Sequence, residues 1–204
     1  MTLSQIQTNY FAAIAALPEE TKGILRSAYE LAEKEHCGQL RKLHRHRTER
    51  DPYLIHPLRV SLILMQELRL QDRTSLASAV LHDVIEDGVS RPTVENLQSQ
   101  FGEEIASTVN FLSKPEGAVG VDSKELHQYH ESFFSAPLHV RMVKLADRLD
   151  NIRETLLVDI PRFQTRYLKE TREIYLPLAE ITNAYYFEQL EMLCSELESL
   201  LNKS

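Results

Sequence analysis

The residues best suited to chemistry lie in the string ASAVLHDVIED, residues 77–87. On a helix that turns by about 100° per residue, the apolar residues of this string fall on one side. The opposite side carries His82, Asp83, Glu86 and Asp87. A solvated acidic face is the ordinary interpretation, but no lysine or arginine lies among these residues, and an adjacent His-Asp pair offers two common ligands for a divalent metal. The string therefore predicts a metal site with further carboxylates beside it.

Asp147 lies in a second predicted helix, within the string VKLADRLDNI. It shares its side of that helix with Val140 and Val143, so we expect this side to be buried. An unpaired buried carboxylate is costly, so Asp147 needs a partner. A metal would meet this need, and an ordinary ion pair with Lys144 or Arg148 would meet it equally.

His56 stands immediately before Pro57, where the chain must leave an extended conformation to enter a helix. Alone, such a histidine is more often a capping or core residue than a ligand. Together with His82, Asp83 and Asp147, it would form a mixed nitrogen and oxygen site. Such a site suits Mn²⁺, Fe²⁺ or Zn²⁺ and leaves positions for water and substrate.

The elements that must position these residues are predicted to be helices. The chain has 204 residues with 6 Gly and 8 Pro, which favours long helices and one domain over residues 1–204. Apolar residues recur with helical spacing in ten segments, 4–16, 19–36, 55–69, 73–87, 93–100, 103–113, 123–134, 137–157, 162–181 and 184–201. We therefore expect an all-α bundle of about ten helices, the last of which is a packing helix. A monomer and a homodimer both remain open.

The charge of the chain restricts its partners. A net charge of −7 argues against a general surface for nucleic acid or for an anionic membrane, because both need a positive field. A small anionic substrate would need a local basic patch, and the one dense basic run lies between Arg41 and Arg50. No apolar run approaches the roughly 20 residues of a membrane span, and residues 1–17 lack a basic signal-peptide region. We expect a soluble, cytoplasmic protein.

These residues carry a family resemblance. His56, the His82-Asp83 pair and Asp147 resemble the H…HD…D signature of the HD phosphohydrolase superfamily, in which these positions bind the metal. Further strings resemble, in this order, the hydrolase domain of RelA/SpoT enzymes and the stand-alone small alarmone hydrolases: HCGQLRK, DPYLIHPLRV, AVLHDVIEDG, FGEEIASTV, LSKP, VKLADRLDNI and ETREIYLPLA. The resemblance covers roughly residues 20–182, and several motifs in order are more specific than HD alone.

The resemblance implies a helical HD-domain fold and a reaction. In that family, pyrophosphate is removed from the ribose 3′ position of ppGpp or pppGpp, normally with Mn²⁺, leaving GDP or GTP. This reaction degrades the alarmone of the stringent response. Glu86 and Asp87 match the acidic pair that orients or activates the attacking water. Arg41 and Lys42 match a basic pair near the nucleotide base, and Asn151 matches a residue near the ribose.

The chain departs from the family between Leu43 and Asp51, where the usual short turn with glycine is replaced by a longer segment without glycine. This difference keeps open a related phosphohydrolase that acts on (p)ppApp or on the 2′-phosphate of NADPH. A third possibility is an inactive HD domain that senses nucleotides. The complete ligand set, together with Glu86 and Asp87, argues against a sensor because binding alone needs no water-activating pair.

Overall fold

The structure is a computed structural model that describes residues 1–115 and 123–203. These residues form twelve α-helices and no strand: α1 Leu3–Ala15, α2 Glu19–Glu35, α3 Ile55–Leu62, α4 Arg73–Leu81, α5 Val84–Asp87, α6 Val94–Phe101, α7 Glu103–Leu112, α8 Lys124–Ser135, α9 Leu138–Thr155, α10 Pro161–Glu170, α11 Leu176–Glu180 and α12 Ala184–Leu201. Two π-helical turns occur, Ile63–Glu67 after α3 and Thr171–Tyr175 between α10 and α11. The prediction of an all-α fold is confirmed.

Each of the ten predicted segments is largely helical in the described part of the chain, and two of them differ from a regular continuous helix in a way that bears on the site. The rod predicted over 162–181 contains a π-helical turn at Thr171–Tyr175, which the periodicity of the sequence does not reveal. The rod predicted over 73–87 breaks after Leu81, and helix resumes at Val84. The two residues of that break, His82 and Asp83, are the two with the clearest chemical signal in the sequence.

Helix starts follow from side chains that accept hydrogen bonds from the first free backbone N–H groups. Asp72 accepts from the backbone N–H groups of Thr74 and Ser75 at the start of α4. Thr2 and Thr93 form capping boxes at the starts of α1 and α6. The cap at Asp72 fixes where α4 begins. Because the helix is regular up to Leu81, its start also determines the position of His82, which follows its last turn.

Helix α9 runs through the centre of the bundle and packs against α3, α4 and α12. Its residues Leu145, Leu149 and Ile152 are fully buried. The final helix, α12, packs on α9, and the Tyr186 hydroxyl donates a hydrogen bond to the Met142 carbonyl at 2.9 Å. The polar residues of α9 therefore project from a fixed rod toward α3 and the α4–α5 break.

Within residues 1–115 and 123–203, no helix combines the length and the apolarity that crossing a bilayer requires.

Candidate metal centre

The break between α4 and α5 directs His82 into the interior, where the residue is 4% exposed. Its Nδ1 lies 2.8 Å from the Ala79 carbonyl oxygen. Since a carbonyl only accepts, Nδ1 carries the hydrogen and Nε2 of the neutral ring offers a lone pair. Nε2 is buried and forms no hydrogen bond with the described residues, although Asp83 Oδ2 lies 3.0 Å away. If the ring is neutral, the lone pair of His82 Nε2 faces a lone pair of Asp83 Oδ2, and the two repel each other. A cation bound between these two atoms would remove that repulsion.

The electrostatic field at His82 also favours a cation. Burial lowers the pKa of His82, but the carboxylates of Asp83 and Asp147 outweigh burial and raise this pKa to about 9. The negative charge around His82 can be balanced by a proton on the ring or by a bound metal ion.

His56 enters the same centre from the start of α3 and is 1% exposed. Its Nδ1 lies 2.6 Å from Asp150 Oδ2, and Arg59 Nη2 donates to the same oxygen at 3.0 Å. Since a carboxylate accepts, Nδ1 of His56 carries the hydrogen and Nε2 points inward. This Nε2 lies 3.2 Å from Asp147 Oδ1 and 3.7 Å from Asp83 Oδ2. A carboxylate that orients an imidazole in this way is typical of histidines that bind metal.

The two carboxylates of the centre, Asp83 and Asp147, are held by hydrogen bonds from other residues. The Tyr53 hydroxyl donates to Asp83 Oδ2 at 2.6 Å, and Lys144 Nζ donates to Asp147 Oδ2 at 3.1 Å. Burial opposes their ionisation, but His82 lowers the pKa of Asp83 and Lys144 lowers that of Asp147. Both groups are therefore ionised. Of the two cations considered as partners of Asp147 from the sequence, Lys144 is the one that pairs with it.

The donor set fits a divalent metal. Ligand atoms of His56, His82 and Asp83 all lie within 4.8 Å of one another. Asp147 Oδ1 joins them at 3.2 Å from His56 Nε2 and 3.8 Å from His82 Nε2. Two imidazole nitrogens and two carboxylates form a set that suits Mn²⁺, Fe²⁺ or Zn²⁺. The structure thus brings the four residues predicted from the sequence together, and their role as metal ligands stays a prediction.

Three of these residues, His56, Asp83 and Asp147, line a cleft of about 520 Å³, here called the metal cleft, which also contains Glu86 and Asp87 of α5. Both Glu86 oxygens are engaged by Lys114, one by its backbone N–H at 3.1 Å and one by Nζ at 3.0 Å. No described residue donates a hydrogen bond to the Asp87 carboxylate. Burial raises the pKa of Asp87, and Asp83 and Glu86 raise it further. The two predicted catalytic acids therefore differ, since Glu86 is anchored and Asp87 is open to a ligand.

A buried carboxylate on α2 fixes the turn that follows α5. Glu35 accepts hydrogen bonds from the backbone N–H of Ser90, at 2.7 Å, and from its hydroxyl. The Glu35 carbonyl accepts from the backbone N–H of Val89 at 2.9 Å. A Cβ at Gly88 would come within 2.3 Å of the Val84 carbonyl oxygen, so only glycine fits there. These contacts hold the end of α5, and with it Asp87, against α2.

The two arginines of the metal cleft differ in whether a residue of the protein already pairs with them. Arg148 lies 4.0 Å from the ring centre of Tyr167 and 3.7 Å from that of Tyr175, and it pairs with Glu170 at 2.7 Å. Its charge is therefore used within the protein. Arg166 lines the same cleft without an acidic partner within ion-pair distance among the described residues.

A second cleft of about 540 Å³, here called the basic cleft, adjoins the first. The basic residues that line it are Arg41, Lys42, His44, Arg45, Arg47 and Arg50. The two clefts share a wall formed by Tyr53, Asn151 and Tyr167. The basic run that stands out in the sequence therefore lies next to the predicted metal centre.

The predicted substrate residues lie in or beside this wall. Arg41 donates through Nε to Glu154 Oε1 at 2.9 Å and through Nη2 to Asn151 Oδ1 at 2.8 Å. Asn151 in turn donates through Nδ2 to Asp147 Oδ1. Lys42 lies in the basic cleft, with Nζ 4.4 Å from the ring centre of Phe163. Arg41 and Asn151 thus connect the two clefts, and a direct contact of these residues with substrate stays a prediction.

Sequence reasoning missed several residues that hold the centre. Asp150 and Glu154 carried a usable signal, because they follow Asp147 by three and seven residues and so share its side of α9. Tyr53 and Glu35 carried no comparable signal. Their partners, Asp83 and Ser90, lie 30 and 55 residues away along the chain.

Known proteins are similar to this chain in sequence and in fold. A family model described as HD domain matches residues 28–182. The chain is 36% identical over 169 residues to a GTP pyrophosphokinase of Myxococcus xanthus, covering 79% of this chain and 21% of that protein. It is 37% identical over 164 residues to a guanosine-3′,5′-bis(diphosphate) 3′-pyrophosphohydrolase of Aquifex aeolicus, covering 79% of this chain and 22% of that protein. The chain therefore spans about a fifth of the length of these curated relatives.

A solved structure of a metazoan ortholog of SpoT, described as hydrolysing ppGpp, superposes with a TM-score of 0.73. The match covers 85% of this chain and 94% of that chain at 23% sequence identity, which shows a common fold. The relatives are of the RelA/SpoT type, as the motifs predicted. Since the HD domain model covers most of the sequence, including all four predicted ligands, this chain belongs to the HD domain family.

Proposed function

We propose that this chain hydrolyses the 3′-pyrophosphate of ppGpp or pppGpp, using water and a bound Mn²⁺ ion, to give GDP or GTP and pyrophosphate. The observation that carries this proposal is the meeting of two imidazole Nε2 atoms and two carboxylates beside a cleft that contains Glu86 and Asp87. The similarity to the guanosine-3′,5′-bis(diphosphate) 3′-pyrophosphohydrolase of Aquifex aeolicus supports the choice of substrate.

His56, His82, Asp83 and Asp147 would hold the metal. A bound divalent metal supplies Lewis-acid chemistry, since it polarises a phosphoryl oxygen and makes a nearby water more acidic. The residues behind the ligands keep the site assembled. Asp150 and the Ala79 carbonyl turn the two imidazoles inward, and Tyr53 restrains Asp83.

Asp87 is the better candidate to accept the proton of the attacking water, because its carboxylate has no hydrogen-bond donor among the described residues. Glu86 is held at both oxygens by Lys114. An anchored carboxylate can orient a water molecule without leaving its place. We therefore assign proton transfer to Asp87 and water orientation to Glu86.

The transferred phosphoryl group and the departing pyrophosphate carry negative charge that the protein must balance. Lys144 is buried beside Asp147, and Arg166 and Lys169 also line the metal cleft. Positively charged groups fixed before the reaction stabilise such charge without further rearrangement. Lys144 would act near the metal, with Arg166 and Lys169 nearer the α10 side.

The decisive experiment incubates metal-stripped protein with ppGpp, with ppApp and with NADPH, with and without added Mn²⁺, and identifies the products. Pyrophosphate release from ppGpp that requires Mn²⁺ is the expected result. Turnover of ppApp or NADPH alone would replace the proposed substrate with that nucleotide. Nucleotide binding without turnover of any of the three would instead indicate a sensor.

A further inference from the structure

The charges of the basic cleft are unevenly neutralised. Arg41 pairs with Glu154 at 2.9 Å, and Arg47 places one nitrogen 2.6 and 2.8 Å from the two oxygens of Asp51. These two arginines therefore already have internal partners.

Three other cations of the basic cleft, Lys42, Arg45 and Arg50, have no acidic group within ion-pair distance among the described residues. The side chain of Arg45 donates to the Val158 carbonyl at 3.3 Å, a neutral acceptor. The guanidinium of Arg50 makes no hydrogen bond within the described part of the chain. These three positive charges are opposed by one free negative charge. Of the acidic residues that line the basic cleft, Asp159 is the one without an ion-pair partner among the described residues.

The segment that carries the arginines is fastened to the body of the protein through its backbone. The backbone N–H of Arg41 donates to the Asp51 carbonyl at 2.8 Å, and that of Arg45 donates to the Leu157 carbonyl at 2.7 Å. His44 forms an isolated β-bridge with Val158. Because the backbone is held on both sides, the arginine side chains project from a defined place at the mouth of the cleft.

The proposed substrate supplies a matching ligand. A nucleoside 3′,5′-bis(diphosphate) carries one diphosphate for the metal cleft and a second on the other side of its ribose. The basic cleft shares Tyr53, Asn151 and Tyr167 with the metal cleft, so one nucleotide can enter both. Arginine is well suited to phosphate because its guanidinium can donate two parallel hydrogen bonds.

We propose that Arg45 and Arg50 form a subsite for the 5′-phosphates of the nucleotide, and that this subsite favours a 5′-triphosphate over a 5′-diphosphate. This inference rests on the proposed function, because the 3′-diphosphate must lie in the metal cleft. The added phosphate of the triphosphate brings further negative charge to a place where two arginines have no acidic partner in the part of the chain that the structure describes. The longer segment from Leu43 to Asp51 is then a device for substrate selection.

The test compares three substrates that differ at one end, guanosine 3′-diphosphates with a 5′-mono-, di- or triphosphate. For the wild type, kcat/KM should increase with the number of 5′-phosphates. In the double variant Arg45→Gln/Arg50→Gln, kcat/KM for the 5′-triphosphate should fall by about tenfold or more, mainly through KM. For the 5′-monophosphate the change should stay within about twofold. The preference of the wild type for the triphosphate should also weaken as KCl is added.

The matched control is Arg26→Gln, which removes an exposed arginine of α2 outside both clefts. It should leave the ratio between the three substrates unchanged. The single variant Arg50→Gln removes no side-chain hydrogen bond that the described residues form, and it keeps the test independent of folding. An unchanged substrate ratio in the double variant, or an equal loss for all three substrates, would overturn the subsite.

Failure of the proposed function can be separated from failure of the subsite. If the wild type turns over none of the three substrates, the proposed function is wrong. In that case the subsite is tested by the binding of GTP without added metal, measured by isothermal titration calorimetry. The double variant should bind GTP about tenfold more weakly than the wild type. Equal binding by the two proteins would overturn the inference.

Discussion

The metal cleft and the basic cleft share a wall but are built in opposite ways. In the metal cleft, the four predicted ligands come from helices or helix ends, and partners such as Asp150 and Lys144 hold them from behind. In the basic cleft, the arginines lie on a segment whose backbone is fixed, while the side chains of Arg45 and Arg50 have no acidic partner in residues 1–115 and 123–203. The predicted ligands of the metal cleft are held by partners within the protein, whereas Arg45 and Arg50 of the basic cleft keep their charge for a ligand.

This difference teaches how the two tasks depend on precision. A reaction centre tolerates displacements of only about half an ångström, so each group needs a second contact that fixes it. Recognition of a phosphate by arginine depends on charge and on long side chains, which adapt to the ligand. Some variants should affect one cleft and not the other. The remaining variants measure how much the contacts behind the metal cleft contribute to metal binding and to stability.

Removing Asp83 should separate the two clefts most completely. Asp83→Ala deletes a predicted ligand, so we expect loss of bound Mn²⁺ and a loss of turnover of at least about 1,000-fold. GTP binding to the basic cleft should remain. Metal content is measured by mass spectrometry and turnover by pyrophosphate release. Asp159→Ala, an acid of the basic cleft, is the control and should keep its metal. An Asp83→Ala protein with wild-type Mn²⁺ content would show that the four residues are not the metal site.

The two acids of α5 should differ in effect. Asp87→Asn removes the proposed proton acceptor, and kcat should fall by about 10²- to 10⁴-fold with Mn²⁺ binding retained. Glu86→Gln should cost less, because Lys114 can still hold the amide oxygen in place. Steady-state kinetics and a Mn²⁺ titration measure both outcomes. A larger loss of kcat in Glu86→Gln than in Asp87→Asn would reverse the two assigned roles.

Asp150→Asn tests how far the hydrogen bond behind His56 supports the centre. The amide is a weaker acceptor than the carboxylate, so the imidazole is less firmly oriented and less basic. We expect the Kd for Mn²⁺ to rise by about 10- to 100-fold, measured by titration calorimetry. Glu67→Gln, which removes a partner of Arg153 outside both clefts, is the matched control. Equal Mn²⁺ affinity in Asp150→Asn and the wild type would contradict the positioning role.

Glu35→Gln tests the clamp on the turn after α5 and should have the smallest effect. Hydrogen bonds to a charged acceptor are worth about 1.5–3 kcal/mol each, and an amide keeps part of them, so we expect a stability loss of about 1–2 kcal/mol at pH 7. A modest decrease in kcat should accompany it, because Asp87 stands next to the clamped turn. Thermal unfolding of both proteins provides the measurement.

The stability difference at Glu35 should depend on pH. Burial opposes ionisation of Glu35, but the hydrogen bonds from Ser90 outweigh burial and lower the pKa of Glu35 below its usual value of 4.5. A lowered folded pKa stabilises the protein above pH 4.5, and this contribution is lost as the pH falls through the folded pKa. The wild type and Glu35→Gln should therefore converge in melting temperature in acid. A constant gap from pH 7 to pH 3.5 would exclude the charged clamp.

Much of the fold was predictable because helical periodicity is a local property. The spacing of apolar residues located the rods and placed Asp147 on a buried side of α9, as the structure shows. The break at His82 and Asp83 was not predictable, since neither residue interrupts a helix by its own propensity. In the break, the Asp83 side chain lies beside His56 of α3 and the His82 side chain lies beside Asp147 of α9, residues that are distant in the sequence.

The gathering of His56, His82, Asp83 and Asp147 was predictable through the resemblance more than through spacing. His56 and Asp147 are each compatible with an ordinary structural role when taken alone. Partners that depend on distant packing escaped prediction, as Tyr53 and Glu35 show. The pairing of Arg41 with Glu154 also escaped, because it joins residues 113 positions apart along the chain.

The arrangement of Asp147, Asp150, Asn151 and Glu154 on one side of α9 has a consequence for how such a chain can diverge. One inserted residue within α9 would rotate everything beyond it by about 100° and turn those of the four groups that follow it away from their partners. An insertion between Leu43 and Asp51 would alter the basic cleft and leave the order of the metal cleft intact. Mutations that change chain length can therefore alter the ligand preference of the basic cleft and leave the residues of the proposed reaction in place.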